Sequence, residues 1–280
     1  MTTTGPSAPI GVQALTATLG AEVTGVDLAD VDAATLEALK KAWLEHKVLV
    51  LRDQHITREQ HIAFGRQFGE LEIHPFATGT LGDSGHEEIV QITSTAERLV
   101  AANTWHSDVT WREVPSMGSI LRGVVIPQVG GDTCFADTTA AYDRLSDDWK
   151  ARVDDKFAVH DFMRTFGRGV PAEKLDEMRS AYPPARHPVI RTHPETGARG
   201  IYTNRQFTSH VDGVDADESE EILRRLERSV MDPSVQCRIR WEVDTFVMWD
   251  NRAVQHYATD DYWPETRTVE RVTVVGDRPY

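Results

Sequence analysis

Apolar and polar positions along the chain alternate mostly with a period of two, interrupted by a few stretches of helical period. Gly11 to Val26 carries short runs that predict an opening strand pair, and Val48-Leu49-Val50-Leu51 predicts a strand buried on both faces. Between them, Asp32 to His46 places Leu36, Leu39 and Trp43 at helical spacing, a face that can pack on a sheet. Thr57 with Gln60 forms a capping-box sequence opening a second helix that carries Ile62 and Phe68 and that Gly69 can close. The segment Leu71 to Phe76 is a strand from which His74 emerges. Met117 to Pro127 is a β-branched strand, and Gly130-Gly131-Asp132-Thr133 turns the chain into Cys134-Phe135. Tyr142 to Phe157 is expected to be helical. A charged insert, Val170 to Pro184 within residues 160–184, follows; it is either a lid over a site or a solvated loop. His187 to Thr192 and Gly200 to Asn204 read as strands around the turn Pro194-Glu195-Thr196-Gly197. Asp217 to Val230 is the clearest helix, acidic at its start and basic toward its end. Strands at Gln236 to Glu242, Thr245 to Trp249 and Thr266 to Val275 close the chain. No repeat or linker divides it, so the expectation is one β-rich domain over residues 1–280 with helices on its outside.

The chemistry concentrates in Asn103 to Trp111. In an extended strand, side chains alternate faces, so His106 and Asp108 point the same way: an imidazole and a carboxylate, two thirds of a facial iron site. His256, in a late turn, is the candidate third ligand. A second triplet, His210-Val211-Asp212, competes for the role. Its neighbours Gly213, Asp215 and Asp217 describe an acidic turn into a helix, whereas His106 and Asp108 sit among Trp, Val and Thr, which favour strands. Arg267 and Arg271, four apart on a predicted strand, share a face, and two guanidinium forks beside a metal suggest two anions to hold.

Charge excludes other partners. With 44 acidic against 30 basic residues the formal net charge is −14, which disfavours a phosphate backbone or an anionic membrane surface. An anionic substrate must therefore be captured by local cations. Cys134 and Cys237 are too few for a disulfide framework or a zinc cluster and read as buried, inert thiols. Met1 to Ile10 lacks a basic and then apolar leader pattern, and no later run is long and apolar enough to span a bilayer, so a cytoplasmic protein is expected. Gly82-Asp83-Ser84-Gly85 resembles the nucleophile segment of trypsin-like serine proteases, but nothing else in the chain supplies that context and a polar turn is the reading kept.

Taken together, Trp105-His106-Ser107-Asp108-Val109-Thr110, Gly130 to Thr133, His187 to Pro194, Trp249-Asp250-Asn251-Arg252 through His256 to Tyr262, and Arg267, Arg271, Val272 and Gly276 resemble the Fe(II)- and 2-oxoglutarate-dependent dioxygenases of the taurine dioxygenase type. The resemblance implies a double-stranded β-helix, or jelly roll, mainly β with flanking helices. It implies His106, Asp108 and His256 as ligands of Fe(II), Thr133 and Arg267 on the distal carboxylate of 2-oxoglutarate, and O2 as oxidant. Arg271, His74 and the backbone of Val109 would hold the sulfonate of a small anionic organic substrate. A homo-oligomer, dimer or tetramer, is also implied. Two positions depart from the taurine enzyme: the Tyr and Asn that contact the substrate amine are Ala77 and Ala102 here, with Asn103 one place off. That widens the pocket and points to a longer alkyl or aryl sulfonate, or an alkyl sulfate ester. Oxidation of a carboxylate such as an aryloxyalkanoate, or a non-catalytic jelly-roll binding protein, are the rival readings.

Overall fold

The computed structural model describes residues 10–73, 85–100, 102–167 and 170–280. The chain opens with β1 (Gly11–Ala14), β2 (Ala21–Thr24), α1 (Ala33–His46), β3 (Val48–Leu51) and α2 (Arg58–Arg66). It continues through β4 (Val90–Ser94), β5 (Ser116–Val125), β6 (Thr133–Asp137), α3 (Thr138–Asp143), α4 (Asp147–Val153), β7 (Phe157–His160), α5 (Met163–Phe166) and α6 (Ala172–Ala181). The remainder is β8 (Ala185–Pro188), β9 (Ile190–Thr192), β10 (Arg199–Ile201), β11 (Thr208–Val211), α7 (Ala216–Val230), β12 (Gln236–Ile239), β13 (Phe246–Asp250), β14 (Val254–Ala258) and β15 (Arg267–Val275).

A seven-stranded sheet in the order β1-β2-β3-β13-β5-β15-β4 is antiparallel throughout except for the β2–β3 pair. It packs on a smaller sheet, β12-β6-β14, and the two enclose a jelly-roll core. The period-two pattern decides which residues go where. Val48, Val50, Leu121, Val247, Trp249 and Val269 point inward to meet Phe135, Ile239 and Val254 of the smaller sheet. Their alternates Leu49, Leu51, Ile120, Phe246, Met248 and Val272 point outward, beneath Leu39 and Trp43 of α1 and Ile62 and Phe64 of α2. A third cluster lies behind the smaller sheet, where Ile222, Leu226 and Val230 of α7 meet Ala136, Ala141 and Val189.

Most elements fall where the residue pattern puts them; the predicted box of Thr57 and Gln60 closes reciprocally, and Asp32, for which no cap was expected, also caps α1, its Oδ1 accepting from Thr35 N–H. Four expectations are corrected. Helix α2 ends at Arg66, so Phe68 and Gly69 lie in the turn beyond it. Tyr142 to Phe157 is two helices and the start of a strand. Asp137 caps α3 early, through bonds to Thr139 and Ala140 N–H, and the break at Arg144 to Ser146 buries Leu145. The insert contains a regular helix, α6, none of whose residues is buried. The extended run through His106 and Asp108 stops at His106, and Asp108 already lies in a turn.

Candidate metal and co-substrate site

One rung of the smaller sheet carries both histidines, so His256 lies within β14 and not in the turn expected from the sequence. His256 pairs with Phe135 on one side and, in an isolated bridge, with His106 on the other. His106 N–H donates to His256 O at 3.1 Å and His256 N–H to His106 O at 2.8 Å, which sets the two ring centres 4.1 Å apart with their planes tilted by 47°. The chain then turns so that Asp108 comes round to them. Val109 sits at φ +47°, a left-handed conformation that a β-branched residue adopts only under strain. Asn251 holds the turn: its Oδ1 accepts from Asp108 N–H at 2.6 Å, and its Nδ2 donates to Asp108 O and Ser116 O, both at 3.0 Å.

Three ligand atoms converge as a result. His106 Nε2 is 3.9 Å and His256 Nε2 4.0 Å from Asp108 Oδ1, and all three residues are buried. Among the described residues this is the one cluster of three His, Cys, Asp or Glu side chains close enough to share an ion. His106 donates Nδ1–H to Thr104 O at 2.6 Å, which fixes the tautomer and leaves Nε2 with its lone pair. Burial, reinforced by the neighbouring His106, pushes His256 down to about 3, and burial lowers His106 as well, so both rings are neutral at pH 7. Burial would raise Asp108, but the Arg271 guanidinium, 3.0 Å from both its oxygens, opposes this and the carboxyl is held below its ordinary range. Two neutral imidazoles and one carboxylate are a donor set that suits a divalent first-row metal, and His256 Nδ1 is buried without a hydrogen-bond partner.

A cavity of about 110 Å³ opens beside these residues and is lined by His106, His256, Thr133, Arg267 and Arg271 with Leu121, Trp249 and Val269. Arg267, Val269 and Arg271 alternate with outward-facing residues of β15, so both guanidiniums enter from one face, as their spacing predicts. This strand lies between β5 and β4, not on the sheet edge. Arg267 is buried against Trp241 and Tyr262; its Nε donates to Gly131 O at 3.1 Å and its Nη2 has no partner. Among the described residues no carboxylate lies within ion-pair distance of it. Thr133 Oγ1 accepts from Trp241 Nε1 at 2.9 Å. Arg271 Nη1 lies 3.0 Å from both Asp108 oxygens, while its Nε is buried without a partner. Ala102 lines the cavity, and Asn103 turns away to donate to Asp260 at 2.7 Å. His74, Ala77 and Gly82-Asp83-Ser84 lie outside the described residues.

The rival triplet does not assemble: His210 and Asp212 are exposed, and Asp212 is paired with Arg186 at 2.8 Å. Residue reasoning missed the supporting shell. Asn251 was visible only as part of the run Trp249 to Arg252, and Ser119, whose Oγ donates to Asp108 Oδ2 at 3.2 Å, carried no signal at all.

A jelly roll that gathers two histidines and a carboxylate at one end, next to a buried guanidinium, defines the class of non-haem metal oxygenases. Comparison with known proteins narrows the class. Residues 11–273 match the profile described as the taurine catabolism dioxygenase TauD, TfdA family, and the chain belongs to that family. It is 36% identical over 270 residues to the (S)-phenoxypropionate/alpha-ketoglutarate-dioxygenase of Sphingobium herbicidovorans, covering 94% of each chain. It is equally 36% identical, over 270 residues, to an alpha-ketoglutarate-dependent sulfate ester dioxygenase of Pseudomonas putida, covering 93% of this chain and 88% of that one. The crystal structure of a taurine dioxygenase from Burkholderia xenovorans superposes with a TM-score of 0.83 at 36% identity, covering 98% of this chain and 93% of the other. The protein is thus an enzyme, an alpha-ketoglutarate (2-oxoglutarate)-dependent dioxygenase, and not a jelly-roll binding protein. No helix among the described residues is long and apolar enough to cross a membrane.

Proposed function

We propose that the enzyme uses Fe(II), 2-oxoglutarate and O2 to hydroxylate the carbon bearing the sulfur group of an alkyl sulfate or organosulfonate. The hydroxylated product collapses to an aldehyde plus sulfate or sulfite, with succinate and CO2 formed alongside. The observation that carries the reading is that His106, Asp108 and His256 converge beside a buried guanidinium, Arg267, that has no carboxylate partner. Fe(II), when bound, would supply the redox chemistry that couples decarboxylation of the oxo acid to C–H oxidation.

The chain's own residues do the rest. His106 and His256 offer neutral Nε2 lone pairs and Asp108 a charge, held in place by Asn251, Ser119 and Thr104. Arg267, with Thr133 beside it, receives the distal carboxylate of 2-oxoglutarate in a desolvated pocket where a charge-assisted bond is strong. Arg271, through its unpartnered Nε, joins His74 and the backbone of Val109 in clamping the substrate's anionic head, so that the neighbouring carbon faces the metal. Ala102 leaves room where an amine-binding side chain would stand. Residues 1–280 act as one dioxygenase domain. Segment 160–184 covers the site: Phe162, Phe166, Met178 and Tyr182 pack with Trp111, Val109 and Phe207, whose ring lies edge-on to His106. The partner is a small anionic organic molecule, and the working form is a cytoplasmic homo-oligomer.

A second reading, the same chemistry on an aryloxyalkanoate carboxylate, is favoured by the equal identity to the phenoxypropionate enzyme. One plate separates them: succinate, sulfite, sulfate, aldehyde and phenol are measured across sulfonates, alkyl sulfates and aryloxy acids. Sulfate or sulfite release is expected; phenol release alone would replace the first reading by the second. His256→Ala should abolish both metal binding and turnover, and retained turnover would overturn the ligand set.

A further inference from the structure

Beside Arg271 the chain buries an ion pair that the proposed reaction does not use. Leu71 bridges Val274 of β15 in antiparallel register, and Glu72 N–H donates to Thr273 O at 2.8 Å. Residues opposite each other in such a pair share a face, so Glu72 lies on the side of the sheet that Thr273 shares with Arg271 and Arg267. Its carboxylate, on a residue only 8% exposed, is ion-paired with Arg112 Nη1. Arg112 stands four residues after Asp108, at the end of the turn that Val109 opens, where its N–H donates to Val109 O at 3.0 Å and its guanidinium lies 4.9 Å from the Trp111 ring centre. The pair therefore ties the metal-ligand turn to the strand that carries Arg271. Burial raises the Glu72 carboxyl, Arg112 and Arg271 oppose that, and the charge on Asp108 adds to it, so Glu72 lies within the electrostatic reach of the residues around the substrate's anionic head.

We propose that Glu72 and Arg112 set the charge of the pocket around Arg271. Glu72 is a specificity-determining residue that rejects dianionic head groups, and Arg112 is the cation that lets a monoanion remain acceptable beside it. The inference rests on the placement of the substrate's anion at Arg271 under the proposed function. Sulfate monoesters and sulfonates carry one negative charge, whereas a phosphate monoester carries nearly two at pH 8, its second proton leaving with a pKa near 6. A fixed carboxylate beside Arg271 repels the second species twice as strongly as the first. That gives the enzyme a means of telling a sulfate ester from a phosphate ester of the same shape. Size alone does not provide one.

The test titrates hexyl sulfate, hexyl phosphate and uncharged hexanol into anaerobic, Fe(II)- and 2-oxoglutarate-loaded protein by calorimetry. One unit charge acting across several ångströms at an effective dielectric of about 20 is worth about tenfold in affinity or more. Glu72→Gln should therefore tighten hexyl sulfate about tenfold and hexyl phosphate about a hundredfold. Arg112→Met should weaken both, and the double variant should return hexyl sulfate to within about threefold of the parent, a reversal of sign that a purely structural role would not give. Hexanol and 2-oxoglutarate affinities should not move. Equal shifts for sulfate and phosphate in Glu72→Gln, a double variant as weak as Arg112→Met, or hexanol moving with the anions would overturn the proposal. If the parent binds phenoxyacetate and not hexyl sulfate, the sulfur reading fails separately. The same cycle on phenoxyacetate and phenyl phosphate then decides the pocket-charge proposal. Binding of neither monoanion overturns both.

Discussion

Replacing Asn251 by alanine keeps every proposed metal ligand and removes the amide that holds the main chain of Asp108. Asn251 is fully buried, and its amide satisfies three main-chain groups: Asp108 N–H, Asp108 O and Ser116 O, at 2.6, 3.0 and 3.0 Å. A buried hydrogen bond contributes about 1 kcal/mol net, so three groups left without a partner should cost the metal-free protein about 3 kcal/mol. The turn they define carries Val109 at φ +47°, and without the amide its strain is opposed only by Arg112 N–H on Val109 O and by the Ser119 and Arg271 contacts to the carboxylate, so the carboxylate should shift relative to the two imidazoles. Loss of a group that orients a metal ligand typically costs 10- to 100-fold in affinity, about 1.4 to 2.7 kcal/mol. Urea unfolding of the chelated protein measures the first quantity, and calorimetric titration with Mn(II) the second. Asn251→Asp sharpens the test. It keeps the shape and the acceptor but sets a carboxylate against two carbonyl oxygens, so it should do at least as much damage as alanine. Stability within about 0.5 kcal/mol and metal affinity within about twofold of the parent would refute the assignment of this amide as the organiser of the turn.

Arg267→Ala should raise KM for 2-oxoglutarate by about a hundredfold, because a desolvated two-point contact is lost, while substrate KM stays unchanged; a rise in substrate KM alone would reassign the residue. His61, buried in α2 with Nε2 3.1 Å from Ile120 O, is pushed down to about 3 by burial against an ordinary value of 6.5. The unfolded chain therefore takes up its proton first, and this group's stability contribution is complete above pH 6.5 and shrinks as pH falls toward 3. At pH 5 the loss is about 2 kcal/mol, and His61→Leu should flatten the pH 5 to 7 slope of unfolding stability by that amount; an unaltered slope would mean that His61 is not the titrating group. Val109→Gly relieves about 1 to 2 kcal/mol of left-handed strain but removes a side chain buried against Trp111, Phe162 and Phe207 that contributes about 1.5 to 3 kcal/mol, so stability should fall by about 1 kcal/mol while substrate KM rises, checked by thermal unfolding and initial rates; a gain of stability would show that backbone strain outweighs the packing.

Local sequence determined much of this protein because the governing physics is short-ranged. Period-two runs choose strand faces, so Arg267 and Arg271 were bound to share one, and Asp32, Thr57 and Asp215 cap helices through bonds to residues three positions on. The three residues that converge as candidate ligands were legible as residue types at a spacing, although alternation along one strand is not what aligns His106 with Asp108. Only the tertiary structure decided that the strand ends at His106, that a strained Val109 swings Asp108 back, and that an amide 143 residues further along the chain pins it there. The single helix expected from Tyr142 to Phe157 failed for a similar reason, since burying Leu145 and pairing Phe157–His160 with β8 and β11 outweighed helical propensity. Pairings such as Glu72 with Arg112, or His256 with Phe135 and His106, join residues far apart in sequence, and their energies exist only once the sheets close. A linear pattern can supply the donors and the anion-binding groups, but the distances between them are fixed by packing.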